Sequence, residues 1–193
     1  MKGILLAGGA GTRLHPVTKV VNKHLLPIYN KPMIYYPLSL MKTCGLTDIL
    51  IITNDVESFK ALLGDGSKFG LTLEYAIQDE PRGIADAFLV ANDCGFLSNL
   101  DDVMLALGDN IFYGNIYETL RGSKELLVGN EYAVAFTCRV SDPERYGVVD
   151  HENNRIIEKP SEYVSSDAVV GLYMYPKGVV RETRKLLPSK RNE

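Results

Sequence analysis

Three cysteines and no long apolar run limit what this chain can be. Its 193 residues include Cys44, Cys94 and Cys138, which are odd in number, widely spaced and form no C-x-x-C pair. Disulfide frameworks and zinc sites use closer, paired cysteines, so neither is expected, and a reducing cytoplasm is the expected location. Every apolar run is far shorter than the roughly eighteen residues needed to cross a bilayer, so the membrane is not an expected partner.

A basic excess is also lacking. The chain has 21 lysines and arginines against 24 acidic residues, a formal net charge of −3. Proteins that bind nucleic acids generally carry a clear basic excess to neutralise phosphates, so nucleic acid is not an expected partner. Any phosphate chemistry must therefore depend on a few well-placed cations. The apolar content of 46% fits one domain with its own core, spanning residues 1–193.

What the sequence does contain is an alternation of apolar runs with amphipathic segments. Two of these segments, 33–44 and 83–94, are predicted helices, each followed directly by glycine. Buried strands joined by helices predict an α/β fold, Rossmann-like and doubly wound, with a mostly parallel sheet. Residues 1–140 form the expected α/β core. The predicted strands of this core are 2–7, 48–53, 71–77, 103–107 and 132–140.

The pattern changes after residue 140. Short strand-like pieces at 147–150, 155–158 and 167–175 are joined by polar turns, and a helical stretch runs from about 177 to 187. These pieces predict a small additional β region in the C-terminal half, forming a lid or a secondary sheet.

A glycine-rich segment at residues 8–14 follows the first predicted strand. Closely spaced glycines let backbone N–H groups surround phosphate oxygens, and α/β sheets bind ligands at the carboxyl ends of their strands. A P-loop would need Gly-Lys-Ser/Thr, and a dinucleotide fingerprint would need glycine at Leu14, so both fail. What remains is a loop followed by Arg13 and Lys23, two cations suited to a polyphosphate. The alternative is a structural turn with two solvated cations.

Two further strand ends carry polar side chains. Asp109 follows the strand 103–107 and is a candidate Mg²⁺ ligand, because Mg²⁺ is bound by one or two carboxylates together with substrate phosphates and water. The amide of Gln78 can both donate to and accept from a nucleobase edge, and Gly83 would let the base lie close. Each residue is equally compatible with an ordinary turn.

Residues that suit a sugar phosphate occur in the C-terminal half. Tyr146 and Gly147 begin one short strand, and Glu158 and Lys159 end the next. A carboxylate accepts from sugar hydroxyls and a lysine binds phosphate. Side chains alternate along a strand, so both reach one ligand only if Pro160 breaks the extended geometry. The alternative is that they merely cap a strand.

Taken in order, these segments resemble the sugar nucleotidyltransferases, and most closely the glucose-1-phosphate thymidylyltransferases. The resemblance covers nearly the whole chain, and it implies that residues 1–140 form the nucleotide-binding core and residues 141–193 the sugar-phosphate-binding part. It implies transfer of a nucleotidyl group from dTTP to glucose 1-phosphate, giving dTDP-glucose and pyrophosphate, with Mg²⁺ as cofactor. The segments that carry it are 1–14, 22–28, 31–37, 107–114 and 142–149.

The resemblance also implies roles for single residues. Arg13, Lys23 and Asp109 would be catalytic, and Asp109 would bind Mg²⁺. A homo-oligomer is expected, because members of the family commonly form one. The residues implied to bind the nucleotide are Leu6, Gly8, Gly9, Gly11, Thr12, Arg13, Lys23, Gln78 and Gly83. Those implied to bind the sugar phosphate are Tyr146, Gly147, Glu158, Lys159 and Val169.

Two features depart from the family pattern. Arg82 and His24 stand where relatives often have an acidic or small residue and glutamine, respectively, which leaves the base preference open. The family also continues beyond Glu193 into a segment that supplies a second metal-binding aspartate. The alternatives are therefore a uridylyl- or cytidylyltransferase of the same architecture and a noncatalytic module that binds nucleotide sugars.

Overall fold

The computed structural model describes residues 1–78, 82–127, 129 and 132–186. The strands are β1 (Lys2–Leu6), β2 (Pro27–Ile28), β3 (Lys31–Pro32), β4 (Asp48–Thr53), β5 (Thr72–Ile77), β6 (Val103–Leu107), β7 (Val134–Arg139), β8 (Gly147–Asp150), β9 (Arg155–Glu158) and β10 (Asp167–Tyr175). The helices are α1 (Tyr35–Thr43), α2 (Val56–Leu63), α3 (Asp86–Asp93), α4 (Tyr117–Leu127) and α5 (Val179–Thr183). No helix among these described residues is long and apolar enough to cross a membrane.

Four parallel strands form the first half of an eight-stranded sheet, in the order β5-β4-β1-β6. Neighbouring residues of a strand point to opposite faces of the sheet, so each strand contributes side chains to both faces. Helices cover both of these faces. Leu5 and Ile51 belong to the core cluster that includes residues of α1, α2 and α4. Ile4 and Leu50 belong to the cluster that includes residues of α3 and α5. The predicted α/β, doubly wound fold is confirmed.

Strand β10 joins the two halves of the sheet. Its residues 172–175 pair antiparallel with β6. Its Ala168 pairs antiparallel with Val148 of β8, and β8 pairs in turn with β9. β7 also pairs with β10, with a register shift between Val169 and Tyr173. The predicted additional β region is thus confirmed in the C-terminal half. Its strands continue the main sheet instead of forming a separate one, whereas β2 and β3 form a small hairpin of their own.

The predicted helices begin later than expected. Gly83 has a φ of +84°, outside the helical region, so α3 begins only at Asp86. Upstream of α1, the Met33 N–H donates to the Leu26 carbonyl instead of entering the helix. Helices α2 and α4 were not identified from the sequence. Helix α5 ends at Thr183, short of the predicted 187, a residue outside the described part of the chain.

The three free cysteines differ in environment, which predicts different reactivity. Burial raises the pKa of the Cys44 thiol to about 11, with Lys124 acting weakly in the opposite direction, whereas Cys94 and Cys138 are exposed. Only thiolates react with iodoacetamide, and at pH 8 about one in a thousand Cys44 groups is a thiolate. We expect mass spectrometry to show Cys44 alkylated at least about ten times more slowly than the others. Its rate should keep rising as the pH approaches 11. Equal rates at pH 8 would contradict this.

Candidate active site

The carboxyl ends of the four parallel strands meet along one edge of the sheet. Backbone bonds fix the ends beside each other: the Gly108 N–H donates to Leu6 and the Ala7 N–H to Ile52, each at 2.8 Å. At the outer strand, the Gln78 N–H donates to Thr53 at 3.2 Å. Ligands of open α/β sheets bind at this edge, so the site residues predicted after β1, β5 and β6 share one location.

The glycine loop after β1 has an open half and an anchored half. Cβ atoms built on Gly8 and Gly9 would meet nothing within 4 Å, so their backbone can be approached closely. A Cβ on Gly11 would lie 3.0 Å from Thr18, whose hydroxyl donates to the Gly11 carbonyl at 2.7 Å. A short 3-10 turn from Thr12 to Leu14 follows, with an exposed Arg13. The loop thus leaves its backbone open to close approach at Gly8 and Gly9, with a cation nearby in sequence.

Lys23 and Asp109 form an ion pair at the end of β6. Lys23 Nζ lies 2.6 Å from Asp109 Oδ2, and the side chains are 22% and 38% exposed, which leaves the pair within reach of a ligand. Burial by itself raises the pKa of Asp109, but the hydrogen bond and charge of Lys23 outweigh it, so the pKa lies below its usual value. Asn110 donates to the other carboxylate oxygen at 3.1 Å. Asp109 is therefore held as an anion.

A magnesium ion fits this site only together with substrate. No group of three or more His, Cys, Asp or Glu side chains that could hold a metal occurs in the described ranges. Asp109 supplies one half-exposed carboxylate, and Mg²⁺ usually completes its octahedron with phosphate oxygens and water. The site thus fits an ion that arrives with a polyphosphate, and it lacks the carboxylate set of a preformed metal centre in its described part.

A buried, neutral histidine lies next to the ion pair. His24 is 1% exposed, and burial lowers its pKa to about 4, with Lys23 adding to the decrease and Asp109 opposing it. Asn22 Oδ1 accepts from the His24 backbone N–H at 3.0 Å and lies 2.8 Å from Nδ1. Since that oxygen has no hydrogen to give, Nδ1 carries the proton. The neutral His24 ring thus places no second positive charge beside Lys23.

Close packing of His24 on Gly108 gives a prediction about stability. A Cβ on Gly108 would lie 2.7 Å from His24 Cδ2 and 2.9 Å from the Leu6 carbonyl oxygen. We expect Gly108→Ala to lower the free energy of unfolding by about 2 kcal/mol, since backbone and a buried ring must both move. Gly122→Ala is the matched control: a Cβ there meets nothing within 4 Å on α4, so it should stabilise by about 0.5 kcal/mol or more. Urea unfolding measures the stability of both variants. Equal unfolding midpoints for the two variants would contradict the close packing of His24 on Gly108.

On the β5 side, the amide of Gln78 is held by a carboxylate. Gln78 Nε2 donates to Asp86 Oδ2 at 2.7 Å, and both side chains are half-buried. Gly83 lies between them in sequence with its φ of +84°, a conformation that strongly favours glycine. The structure thus gives Gln78 a partner, Asp86, that the sequence reasoning did not single out.

Strands β8 and β9 place the predicted sugar-phosphate residues beside each other. Gly147 pairs with Glu158, and a Cβ on Gly147 would lie 2.9 Å from Glu158 Oε2, so the glycine leaves room for that carboxylate. Lys159 has a φ of +46°, its N–H donates to Tyr146 at 2.9 Å, and its Nζ lies 3.5 Å from Glu158 Oε1. The break in the strand therefore occurs at Lys159 itself, and both head groups lie together.

Asn110 connects the ion pair to the long strand β10. Its Oδ1 accepts from the Gly171 N–H at 3.1 Å, within the register shift that follows Val169. A Cβ on Gly171 would lie 2.5 Å from the Leu107 side chain, so only glycine fits there. The sequence reasoning missed Asn110 and Gly171, although Asn110 directly follows Asp109. Through this contact, the residue after Asp109 is joined to β10 two residues beyond Val169.

A cavity elsewhere does not coincide with these residues. It has a volume of about 660 Å³ and lies beside α1, with Tyr36, Lys42, Phe112 and Tyr117 in its lining. None of the predicted site residues lines it. The site is therefore identified by its chemistry and its position on the sheet.

The comparisons with known proteins agree with this geometry. A family described as nucleotidyl transferase matches residues 2–193. The chain is 50% identical over 200 residues to the glucose-1-phosphate thymidylyltransferase of Neisseria meningitidis serogroup A, covering 100% of this chain and 67% of that protein. The Mycolicibacterium smegmatis protein of the same name is 47% identical over 200 residues, with the same coverage. The chain thus spans about two thirds of these relatives' length.

Solved structures show the same architecture. A Bacillus anthracis protein assigned as a glucose-1-phosphate thymidylyltransferase, solved with sucrose, superposes with a TM-score of 0.87 at 43% identity, over 100% of this chain and 78% of that one. A UDP-glucose pyrophosphorylase with UDP-glucose gives a TM-score of 0.80 at 22% identity, over 100% and 82%, a likeness of fold alone. This chain is a member of the nucleotidyl transferase family.

Proposed function

We propose that the chain transfers a thymidylyl group from dTTP to glucose 1-phosphate, producing dTDP-glucose and pyrophosphate with Mg²⁺. The observation that carries the proposal is the position of the Lys23–Asp109 pair. Lys23 lies close to Gly11 of the glycine loop, and Asp109 is followed by Asn110, which contacts β10. This arrangement supplies a cation and a metal-binding carboxylate where two phosphates would meet. Relatives named glucose-1-phosphate thymidylyltransferase, at 44–50% identity, support the choice of substrates.

In this proposal the nucleotide lies along the ends of β1 and β5. The N–H groups of the open glycine loop bind the phosphates, with Thr12 and Arg13 beside them, while Leu6 ends the strand below. Gln78 and Gly83 face the base. Fixed backbone dipoles and one guanidinium neutralise a polyphosphate without reorganising during the reaction. Because a Cβ on Gly8 or Gly9 would meet nothing within 4 Å, a phosphate can approach the loop backbone at these two positions.

The sugar phosphate occupies the end of the β8–β9 hairpin. Glu158 accepts hydrogen bonds from sugar hydroxyls, and Lys159 binds the phosphate, since the two head groups lie together. Tyr146, Gly147 and Val169 line the same side. The glycine at 147 leaves the Glu158 carboxylate accessible. The ligand is thus oriented by one carboxylate and one cation.

The reaction needs positioning and charge neutralisation, without a covalent intermediate. A phosphate oxygen of the sugar attacks the α-phosphorus, the new P–O bond forms, and the bond to the β-phosphate oxygen breaks as pyrophosphate leaves in line. Lys23 exchanges its contact with Asp109 for one with a phosphate. Mg²⁺ held by Asp109 would reduce the charge on the phosphates. Arg13 stabilises the charge that develops on the departing pyrophosphate.

Pyrophosphate release with a panel of nucleotides tests the proposal. The protein is incubated with glucose 1-phosphate and Mg²⁺ together with dTTP, UTP, dCTP, dATP or dGTP in turn. We expect release to be fastest with dTTP and to require glucose 1-phosphate. Preferential release with UTP or dCTP would replace thymidylyl by uridylyl or deoxycytidylyl transfer. Folded protein that binds nucleotide but releases no pyrophosphate would identify a noncatalytic binding module.

A further inference from the structure

The contact between Gln78 and Asp86 fixes which way the Gln78 amide faces. A glutamine amide has two nearly isosteric orientations, related by a half-turn that exchanges Oε1 and Nε2. The carboxylate of Asp86 accepts hydrogen bonds and has no hydrogen to donate, so only the NH₂ group can face it, as in the 2.7 Å contact. A half-turn would place Oε1 against the carboxylate oxygen. One orientation is therefore strongly favoured.

The rest of the structure holds this pair rigidly. Asp86 is the first residue of α3, whose Ala87, Phe88 and Ala91 are buried in the core cluster on the sheet. At the other end, the Gln78 N–H is bonded to the end of β4 through the Thr53 carbonyl. Groups fixed by helix and sheet keep their geometry better than groups on loops. The orientation of the amide is thus set before any ligand binds.

We propose that Asp86 is a specificity-determining positioning residue, which makes Gln78 select a thymine or uracil edge over a cytosine edge. The inference rests on the proposed function, in which Gln78 faces the base. Thymine offers an N–H beside the O4 acceptor, whereas cytosine offers a bare ring nitrogen beside an amino donor. In the orientation fixed by Asp86, Oε1 of Gln78 can accept from the thymine N–H, and the second N–H of Nε2 can donate to O4. Cytosine needs the opposite orientation, which Asp86 opposes.

The Asp86→Asn variant tests this at constant size. An asparagine amide can accept from Nε2 or donate to Oε1, so both orientations of Gln78 become allowed. The dissociation constants of dTTP and dCTP are measured by calorimetry in the presence of Mg²⁺. We expect the ratio of the dCTP to the dTTP constant to fall by about tenfold or more, mainly because dCTP binds more tightly.

Two controls separate this role from a general structural one. Glu57→Gln removes the same charge from the first turn of α2, where it leaves Gln78 untouched, so the ratio should not change. In a Gln78→Ala background, adding Asp86→Asn should also leave the ratio unchanged, because Asp86 acts through Gln78. An unaltered ratio in Asp86→Asn, or an equal loss of both nucleotides, would overturn the inference. A wild-type protein that binds dCTP as tightly as dTTP would overturn the inference, whereas one that prefers UTP to dTTP would overturn only the proposed thymidylyl transfer.

Discussion

Replacing Asp109 by alanine is expected to reduce pyrophosphate release from dTTP and glucose 1-phosphate by about a thousandfold or more. The substitution removes the carboxylate proposed to hold Mg²⁺ and leaves Lys23 without its partner at 2.6 Å. Lys23 would then be free to stay on a phosphate in both ground and transition states. The measurement is the steady-state rate of pyrophosphate release at saturating dTTP, glucose 1-phosphate and Mg²⁺.

Two variants make this result interpretable. Asp109→Asn keeps the size of the side chain and should lose nearly as much activity, because a neutral amide is a poor ligand for Mg²⁺. Asp93→Ala removes an exposed carboxylate at the end of α3, away from the strand ends, and should retain full activity. If Asp109→Ala is folded and still turns over at more than about a tenth of the wild-type rate, the role given to Asp109 is wrong.

Replacing Arg13 by alanine is expected to lower kcat by about a hundredfold or more while changing the dissociation constant of dTTP much less. The guanidinium is exposed on the turn after the glycine loop, whose N–H groups are proposed to bind the phosphates of dTTP. Its proposed contribution is to stabilise the charge that grows on pyrophosphate as the bond breaks. An interaction made mainly in the transition state lowers kcat when it is removed.

Lys19→Ala provides the control for Arg13. Lys19 is an exposed cation at the end of the next 3-10 turn, so its removal changes the net charge equally without removing a proposed contact. We expect its kcat to match the wild type. An Arg13→Ala variant with unchanged kcat would remove Arg13 from the catalytic group, and one that only loses dTTP affinity would make it a ground-state binding residue.

The fold was predictable because its strands are nearly continuous apolar runs. Segments such as 48–53 and 103–107 can be buried on both faces only within a covered parallel sheet, and both became central or inner strands. Helices α2 and α4 were missed, although Asp55 caps α2 by accepting from the Ser58 N–H at 3.3 Å. Each helix has a polar face, which made the apolar residues that pack on the sheet hard to recognise in the sequence.

Contacts within the site were less accessible from sequence. Asp109 and Lys23 were each identified by a local pattern, but their pairing spans 86 residues and depends on the parallel contact of β1 with β6. The same holds for Asn110 and Gly171, which meet only because β10 runs antiparallel to β6. Local patterns indicate which side chains suit a chemistry, whereas tertiary packing decides which of them meet.

The most direct test of thymidylyl transfer follows the phosphate oxygens of glucose 1-phosphate. The sugar phosphate is labelled with oxygen-18 at its non-bridging phosphate oxygens and incubated with dTTP, Mg²⁺ and the protein, and the products are analysed by mass spectrometry. If a sugar-phosphate oxygen attacks the α-phosphorus, dTDP-glucose retains all of the label and pyrophosphate contains none. Label in pyrophosphate, or the absence of labelled dTDP-glucose while dTTP is consumed, would contradict the proposed reaction.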